Sequence, residues 1–386
     1  MNLKIMDVKI IKVRTKSDLK KFIMLPWEIY KDDPNWVPPL ISEMKKTLKP
    51  FINPATRIAR QKECELFLAL KNDKPVGRIF TGINWALNQK KNERMGYFSL
   101  FECINDTDVS NALFDNAFSW FKGKGISIVR GPVSTEGADM DELKGLLIDA
   151  FNSPPVIMNT YNPEYYVKLM ENYGLEKFKD LYAYYLDPSE IFKKDPTKVI
   201  EYSKRKYGYR VDTINLNNLE NELKDIKYIL DLAVPDEWED LAAPDFSEIE
   251  SLAKGLVDLV DPDIILIART NENRPIGFLV ALPDYNQLLI HLNGRLLTPF
   301  SLYKYLKYKK KINGARIFIM FVIPEFRKKG VSFALYHQCF VNGLKKGYTW
   351  GEGSTIGEDN LRMRTDIESM GARRYKTYRV YKWNIQ

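Results

Sequence analysis

The hydrophobic and polar positions form two closely similar hairpin patterns, one in each half of the chain. Residues 68–78 run from Leu-Ala through a polar turn into Lys-Pro-Val-Gly-Arg, and residues 267–278 run from Ile-Ala through a polar turn into Arg-Pro-Ile-Gly-Phe. Apolar runs on both sides of an Asn/Asp/Glu turn, with Pro and Gly at the entry to the second run, are typical of β-hairpins. We therefore predict a hairpin in each half.

Each hairpin is followed by an apolar strand and then by a helix. Residues 97–101 and 317–321 are mostly aromatic or aliphatic and predict buried strands. Residues 111–124 and 333–346 predict helices, and each is followed by Gly, a common residue after a helix C-terminus. The second helix places four large residues on one face: Phe333, Tyr336, Phe340 and Leu344. Residues 348–350 predict the next strand, with Glu352 at its end.

The order of these features repeats once along the chain. Gly77 corresponds to Gly277, and Gly174 corresponds to Gly371. Gly174 and Gly371 each precede a Tyr-rich strand at the end of their half. A repeat of strands and helices in the same order indicates two copies of one unit. We predict an α/β protein with two tandem domains, 1–190 and 191–386, each a mixed twisted sheet flanked by helices.

Length and composition narrow the class of protein. Hydrophobic residues make up 45% of the 386 residues, which is enough for two cores and excludes a largely disordered chain. The longest apolar run, 317–323, is far shorter than the ~20 residues that cross a bilayer, and the N-terminus lacks a signal-peptide core. Three widely spaced cysteines and two histidines favour neither a disulfide framework nor a metal site. We expect a cytoplasmic protein with no metal and no membrane partner.

Charge is distributed unevenly along the chain. There are 58 basic and 50 acidic residues, and the net charge of +8 weakly favours a polyanion or a phosphorylated cosubstrate as partner. Residues 235–263 contain ten acids and one base, whereas residues 303–316 contain six bases and no acid. A solvated helix face explains either run, so charge alone assigns no function.

A basic turn connects the apolar strand 317–323 to the helix that follows it. Its residues are Arg327, Lys328, Lys329, Gly330, Val331 and Ser332. The first N–H groups of a helix have no intrahelical partners and lie at the positive end of the helix dipole, where they bind anions. Glycine lets the backbone approach a phosphate closely, and the basic side chains add attraction. The turn is therefore a candidate phosphate site.

This turn resembles the pyrophosphate loop, Gln/Arg-x-x-Gly-x-Gly/Ala, of the GNAT superfamily of acyl-CoA-dependent N-acyltransferases. The hairpin at 275–278 resembles the second and third strands of that fold, and Asn360 with Met-Gly-Ala at 370–372 resembles its later helix and turn. The N-terminal Trp-Val-Pro-Pro at 36–39 resembles a bacterial tandem-GNAT group. The resemblance implies two GNAT-like domains and acetyl-CoA or another acyl-CoA as cosubstrate.

The same resemblance implies roles for individual residues. Residues 327–332 and Asn360 would bind the cosubstrate, and the backbone N–H of Val322 would bind it and stabilise the oxyanion. Two positions depart from the family pattern. Ser332 replaces the usual Gly or Ala, and Ile367 stands where many members have a Tyr that protonates the leaving thiolate.

The first half lacks the basic turn. After Phe101 the chain continues Glu-Cys-Ile-Asn-Asp-Thr-Asp at 102–108, with three acids and no glycine, which would repel a diphosphate. We predict a degenerate domain that keeps the sheet and binds no CoA at this position. A long polar loop at 131–142 has no counterpart of equal length in the second half.

Direct attack of an amine on the thioester requires a base that deprotonates the ammonium. Glu352 is our candidate, because it follows the predicted fifth strand beside the fourth. The acidic segment 235–263 lies where related enzymes build the acceptor pocket, and we expect Glu237 and Asp240 to attract a cationic amine.

Two other functions remain open on the sequence. A non-catalytic acyl-CoA sensor is compatible with Ile367 and with the degenerate first half. A nucleic-acid binder is compatible with the lysines and tyrosines of 303–311, although the acids elsewhere disfavour it. The sequence does not define the acceptor amine, the acyl chain length or the oligomeric state.

Overall fold

The structure is a computed structural model that describes most of the chain. The described residues are 8–52, 62–133, 144–234, 243–257, 259–296 and 298–385. Most of the polar loop predicted at 131–142, and the candidate acceptor residues Glu237 and Asp240, lie outside these ranges.

The described residues form strands and helices that are mixed along the chain, with some strand–strand and some helix–helix neighbours in sequence. The strands are β1 (Lys9–Lys12), β2 (Lys62–Lys71), β3 (Lys74–Asn84), β4 (Met95–Cys103), β5 (Ile128–Gly131), β6 (Leu146–Leu147), β7 (Glu176–Leu186), β8 (Tyr209–Thr213), β9 (Ile265–Thr270), β10 (Pro275–Pro283), β11 (Gly314–Val322), β12 (Trp350–Gly357) and β13 (Arg373–Asn384). The helices are α1 (Lys16–Ile29), α2 (Ile41–Leu48), α3 (Trp85–Lys91), α4 (Thr107–Lys122), α5 (Tyr165–Tyr173), α6 (Thr197–Tyr207), α7 (Leu219–Ala233), α8 (Phe246–Leu256), α9 (Asn286–Leu289), α10 (Pro299–Lys309), α11 (Val331–Lys346) and α12 (Leu361–Ser369).

The chain divides into two compact units. Unit 1 comprises Met1–Leu181, Asn286–Lys310 and Lys376–Gln386, and unit 2 comprises Tyr182–Tyr285 and Lys311–Tyr375. The chain passes from one unit to the other within β7 and within β13. The domain boundaries predicted from the sequence repeat, 1–190 and 191–386, stay a prediction.

Unit 1 contains a mixed sheet with a core on each face. Its strand order is β1–β2–β3–β4–β5–β13, with a parallel pairing only between β4 and β5 among the pairs in this order. Alternate residues of β2 point to opposite faces. Phe67 and Ala69 join one cluster, which includes Phe114 of α4. Leu66 and Leu68 join the other, which includes residues of α1. Helices therefore cover both faces of this sheet.

Unit 2 repeats this arrangement. Its strand order is β8–β9–β10–β11–β12, where β9, β10 and β11 are antiparallel and β11 and β12 are parallel neighbours joined through α11. Four consecutive residues of β10, Ile276–Leu279, are buried. Residues of α7 and α11 belong to the same core. The predicted fold class of two tandem units, each a mixed sheet flanked by helices, is confirmed.

Close packing explains why both hairpins have glycine at the corresponding positions 77 and 277. A Cβ atom at Gly77 would lie 2.8 Å from Leu113 Cδ1 of α4, and one at Gly277 would lie 3.0 Å from the backbone oxygen of Phe321. Contacts this short force a neighbour to move, so each hairpin has glycine where an element packs closely against it. The repeated Pro-x-Gly pattern is thus a consequence of packing.

The prediction for the fifth strand was partly wrong. The strand β12 extends to Gly357, so Glu352 lies inside it and not at its end. Glycine is disfavoured inside strands, yet β12 contains Gly351, Gly353 and Gly357. Here Gly353 is required by packing, since a Cβ atom there would lie 2.5 Å from Ile367 Cδ1.

None of the helices in the described residues has the length and apolar character needed to cross a bilayer.

A buried ionic cluster stabilises unit 1. Arg78 is 3% exposed, donates to the backbone oxygen of Phe22 at 2.7 Å and lies 3.5 Å from Glu102. The hydroxyls of Tyr30 and Tyr166 donate to the same carboxylate at 2.9 and 2.8 Å. Burial raises the pKa of Glu102, and the Arg78 charge and the tyrosine hydrogen bonds oppose that rise. The acid predicted to repel a diphosphate therefore neutralises a buried arginine.

We expect Glu102→Gln to destabilise the protein by about 3 kcal/mol, because Arg78 is left as an uncompensated buried charge. The measurement is the free energy of unfolding in urea. The matched control is Glu220→Gln, which removes an exposed pair with Lys224 on α7 and should leave the urea midpoint unchanged. Equal midpoints for Glu102→Gln and the parent would show that the cluster contributes nothing.

Candidate functional site

The parallel strands β11 and β12 of unit 2 pair over only part of their length. The paired residues are 314–317 of β11 and 350–353 of β12, although β11 continues to Val322 and β12 to Gly357. Beyond Ile317 the strand β11 remains paired with β10, up to Val322 opposite Gly277. The two strands therefore separate while both stay extended, and a gap opens between them.

A narrow cavity of about 30 Å³ lies in this gap. It is lined by backbone and side chains of both strands and by residues of α11 and α12, including Tyr336, Thr355 and Ile367. The hydroxyls of Tyr336 and Thr355 are buried and make no hydrogen bond with any residue in the described ranges. Buried polar groups are nearly always hydrogen-bonded, so two such groups in one cavity indicate a place for a polar ligand.

The backbone of Val322 faces the same gap. The N–H of Ile323 donates to the carbonyl of Ile276 at 3.0 Å, on the β10 side. Amides of successive residues in a strand point in opposite directions. The N–H and carbonyl of Val322 therefore point away from β10, towards the side on which β12 has separated.

The basic turn leads directly into α11. Gly330 is the N-cap residue, with φ of 75°, and no side chain among the described residues caps this helix end. A Cβ atom at Gly330 would lie 2.5 Å from Ser203 Oγ, so both the backbone conformation and the space require glycine. The first-turn N–H groups of α11 are thus left for an external acceptor. Val331 itself is buried, so it can offer only its backbone.

The cationic side chains of the turn have different environments. Arg327 Nε donates to the carbonyl of Val322 at 3.1 Å and its Nη2 to that of Ala233 at 2.9 Å. Burial, and to a smaller extent the neighbouring Arg362, lower the pKa of Arg327. Lys329 lies 4.5 Å from the ring centre of Phe326, while Lys328 is exposed. Arg327 therefore holds the turn in place, and Lys328 and Arg362 are the exposed cations beside it.

Two further predicted residues also have structural partners. Ser332 forms a side-chain hydrogen bond with Asp366 of α12, so its hydroxyl already has an acceptor. Asn360 caps α12, where its Oδ1 accepts from the N–H of Met363 at 3.2 Å. Asn360 thereby fixes the start of the helix that carries Arg362 and Ile367.

Glu352 is fully buried, opposite Arg316 in the paired part of β11 and β12. Its carboxylate accepts short hydrogen bonds from the hydroxyls of Ser354 and Tyr375. Arg316 is also fully buried and donates to Ser354, through Nε to Oγ at 3.0 Å and through Nη2 to the carbonyl at 2.9 Å. Glu352 is therefore not a solvent-facing carboxylate. Ser354 connects it to the cavity, which Ser354 lines.

The corresponding helix start in unit 1 is capped by the protein itself. Asp106 accepts hydrogen bonds from the N–H groups of Asp108 and Val109 at 3.0 and 3.2 Å and pairs with Lys71 at 2.5 Å. Partial burial works to raise the pKa of Asp106, but Lys71 and these backbone groups lower it overall. A carboxylate thus occupies the position where an anion would bind at the start of α4.

Sequence reasoning did not identify three residues of this region. Tyr336 was predicted only as part of an apolar helix face, and it is buried as predicted, whereas Leu344 of the same face is 45% exposed. Thr355 and Arg362 belong to no motif. The sequence spacing of Tyr336, Thr355 and Arg362 does not indicate a site, because the cavity is formed by residues far apart in the chain. Glu237 and Asp240 lie outside the described residues, and their role stays a prediction.

The fold of the chain is similar to that of tandem GNAT proteins. The chain superposes on a tandem GNAT protein from the clavulanic acid biosynthesis pathway with a TM-score of 0.57, at 11% identity, over 98% of this chain and 99% of that one. No protein-family model matches the chain.

Two curated proteins are similar over nearly their whole length. The chain is 30% identical over 384 residues to the bacterial ceramide synthase of Caulobacter vibrioides, covering 97% of each protein. It is 32% identical over 384 residues to protein YghO of Escherichia coli, covering 96% of this chain and 94% of that protein. The chain belongs to the family of these two proteins.

Two glycines of the turn and helix give a test of the loop geometry. Gly330→Ala should destabilise the protein by about 1–3 kcal/mol, because alanine is strained at positive φ and its Cβ meets Ser203. Gly343→Ala in the same helix should stabilise it by about 0.5–1 kcal/mol, since a Cβ there meets Tyr348 at 3.7 Å and Ile264 at 4.0 Å, both ordinary contacts. Thermal unfolding measures both. A Gly330→Ala protein as stable as Gly343→Ala would contradict the strained turn.

Proposed function

We propose that the protein is an N-acyltransferase that uses an acyl-CoA and whose active site is the gap between β11 and β12. The observation that carries this proposal is the combination of a polar cavity between two separated strands with an uncapped helix start beside it. A long cosubstrate with a diphosphate at one end and amides along its arm matches both features. The family membership and the GNAT fold support the same conclusion.

In this proposal the diphosphate binds the first-turn N–H groups of α11. Lys328 and Arg362 contribute positive charge, and Gly330 allows the close approach. The pantetheine arm enters the gap, where its amides can pair with the hydroxyl of Thr355 and with backbone groups of β11. The thioester carbonyl then meets the N–H of Val322, which stabilises the negative charge that develops on its oxygen.

The reaction needs proton transfers at two points. The acceptor ammonium loses a proton through Tyr375 to Glu352, and the neutral amine forms a C–N bond with the thioester carbon. As the C–S bond breaks, the nitrogen loses its second proton, which replaces the proton that Tyr336 gives to the leaving thiolate, and the proton held by Glu352 then passes to solvent. The leaving thiolate takes a proton from Tyr336, which stands in for the tyrosine missing at Ile367. Burial, with the charge of Asp366 next, raises the pKa of Tyr336, so this acid stays protonated at neutral pH. One proton is released overall.

The name of one relative suggests a class of acceptor amine. A ceramide is an amide of a fatty acid with a long-chain amino alcohol, so a relative called a ceramide synthase suggests a long-chain amine and a fatty acyl-CoA. Acetyl-CoA with a small cationic amine, which the acidic segment 235–263 favours, is the alternative. Transfer assays with both donor and acceptor classes separate them.

Binding of CoA tests the cosubstrate site. We expect saturable binding in isothermal titration calorimetry and a loss of about tenfold in affinity for Lys328→Glu, because the reversed charge repels the diphosphate at the helix start. The control Lys20→Glu changes the same charge on an exposed residue of α1 in unit 1. The proposed site would be wrong if CoA gave no heat of binding, or if Lys328→Glu and Lys20→Glu lost the same affinity for CoA. Binding without transfer to any amine would instead support the sensor.

The role of Tyr336 has its own test. Tyr336→Phe should lower kcat by about 10²-fold and leave KM for the acyl donor unchanged, because only the proton is lost. The deficit should shrink with a donor whose leaving thiol is aromatic and needs no protonation. The control is Tyr348→Phe, whose hydroxyl donates to Asp261 and should not affect kcat. A Tyr336→Phe enzyme with full kcat would exclude this acid without excluding acyl transfer.

A further inference from the structure

The helix α10 of unit 1 exposes its apolar side chains to solvent. Phe300 is 81% exposed, Tyr303 64%, Leu306 62% and Leu302 58%. Leu306 lies four positions after Leu302 and three after Tyr303, so it is a neighbour of both on the helix surface and the three form one exposed face. Isolated exposed apolar residues are normal, but a contiguous patch of this kind marks an interaction surface.

The opposite face of α10 holds the helix to its own unit. Ser301 is 5% exposed, Tyr305 and Tyr308 are half-buried, and these three lie at i, i+4 and i+7. The ring of Tyr308 stacks on His291 with 3.8 Å between ring centres, and Lys304 Nζ donates to the carbonyl of His291 at 2.9 Å. The usual pattern is thus reversed, because the more polar face is packed and the apolar face is outside.

Positive charge surrounds the exposed apolar face. Lys307, Lys309 and Lys310 are exposed, and no acid occurs between residues 303 and 316. Lysines that flank exposed leucines and aromatic residues are the composition of helices that lie in the interface of anionic membranes. The apolar side chains enter the acyl boundary and the lysines contact lipid phosphates.

We propose that α10 docks this protein on the surface of a membrane that contains anionic lipids. From the sequence we expected no membrane partner, because no apolar run is long enough to cross a bilayer. A helix that lies in the interface needs no such run. The proposal is carried by the exposed face of α10 alone and stands independently of the acyl-transfer reaction.

Vesicle flotation with the full-length protein tests the proposal. The probes are vesicles of phosphatidylcholine alone and vesicles that also contain phosphatidylglycerol. The test variants are Leu302→Ser/Leu306→Ser, which removes apolar contacts, and Lys307→Glu/Lys310→Glu, which reverses charge. The control is Val199→Ser/Tyr202→Ser on α6, which removes two side chains of comparable exposure, 66% and 57%. All four substituted residues of α10 are exposed, and thermal unfolding verifies that each variant is folded.

We expect the parent and the α6 control to float with anionic vesicles, with binding that weakens as salt rises. Each α10 variant should lose at least about tenfold in its partition coefficient. Transfer of an acyl group to a water-soluble amine in lipid-free buffer should be the same in all variants, so a failed transferase assay and a failed flotation assay are distinguishable.

Three results would overturn the proposal. The first is no flotation of the parent protein. The second is flotation that the α10 variants do not change. The third is a lipid-free oligomer, or a complex with RNA, that the α10 variants abolish while flotation remains, since α10 would then bind protein or nucleic acid.

Discussion

The separation of β11 from β12 is the constraint on which the site depends. The parallel pairing ends after Ile317 and Gly353, yet β11 stays ordered because β10 pairs with it on its other edge. A buried hydroxyl without a partner costs about 1–3 kcal/mol, and the gap contains two, those of Tyr336 and Thr355. In the proposed complex, the amides of the acyl-CoA arm would supply the partner that the Thr355 hydroxyl lacks among the described residues.

The two units show how one residue changes the chemistry of a shared fold. Both have a helix that joins a parallel pair of strands, α4 in unit 1 and α11 in unit 2. At the start of α4 the carboxylate of Asp106 accepts from two backbone N–H groups, whereas Gly330 leaves the start of α11 uncapped. The carboxylate of Asp106 thus takes the place of an external anion at the start of α4. That the first half binds no CoA stays a prediction, and this carboxylate is a reason for it beyond the count of acids.

The hairpins, the repeat and the basic turn could be predicted because each is encoded in consecutive residues. Gly77 and Gly277 lie where neighbouring atoms leave no space for a Cβ atom, and Gly330 has both a tight environment and a positive φ. The cavity could not be predicted, since Tyr336 and Thr355 come together only through the path of β12. The exposure of the apolar face of α10 could not be predicted either. A helical pattern of apolar and polar residues is the same whichever face is buried. Sequence patterns define elements, whereas the fold decides which side of an element meets solvent.

The environment of Glu352 limits how it can act as a base. The hydroxyls of Ser354 and Tyr375 both donate to its carboxylate, and Arg316 donates to Ser354. A proton that reached Glu352 directly would displace one of these bonds inside a buried network, where unsatisfied groups are costly. A proton that arrives through Tyr375 displaces none, because the hydroxyl gives its own proton to the carboxylate as it accepts another. Tyr375 is half-buried, so it can connect the buried carboxylate to an amine outside. In the proposed reaction, the base is therefore the Tyr375–Glu352 pair, and the hydrogen bonds of Arg316 and Ser354 hold that pair in position.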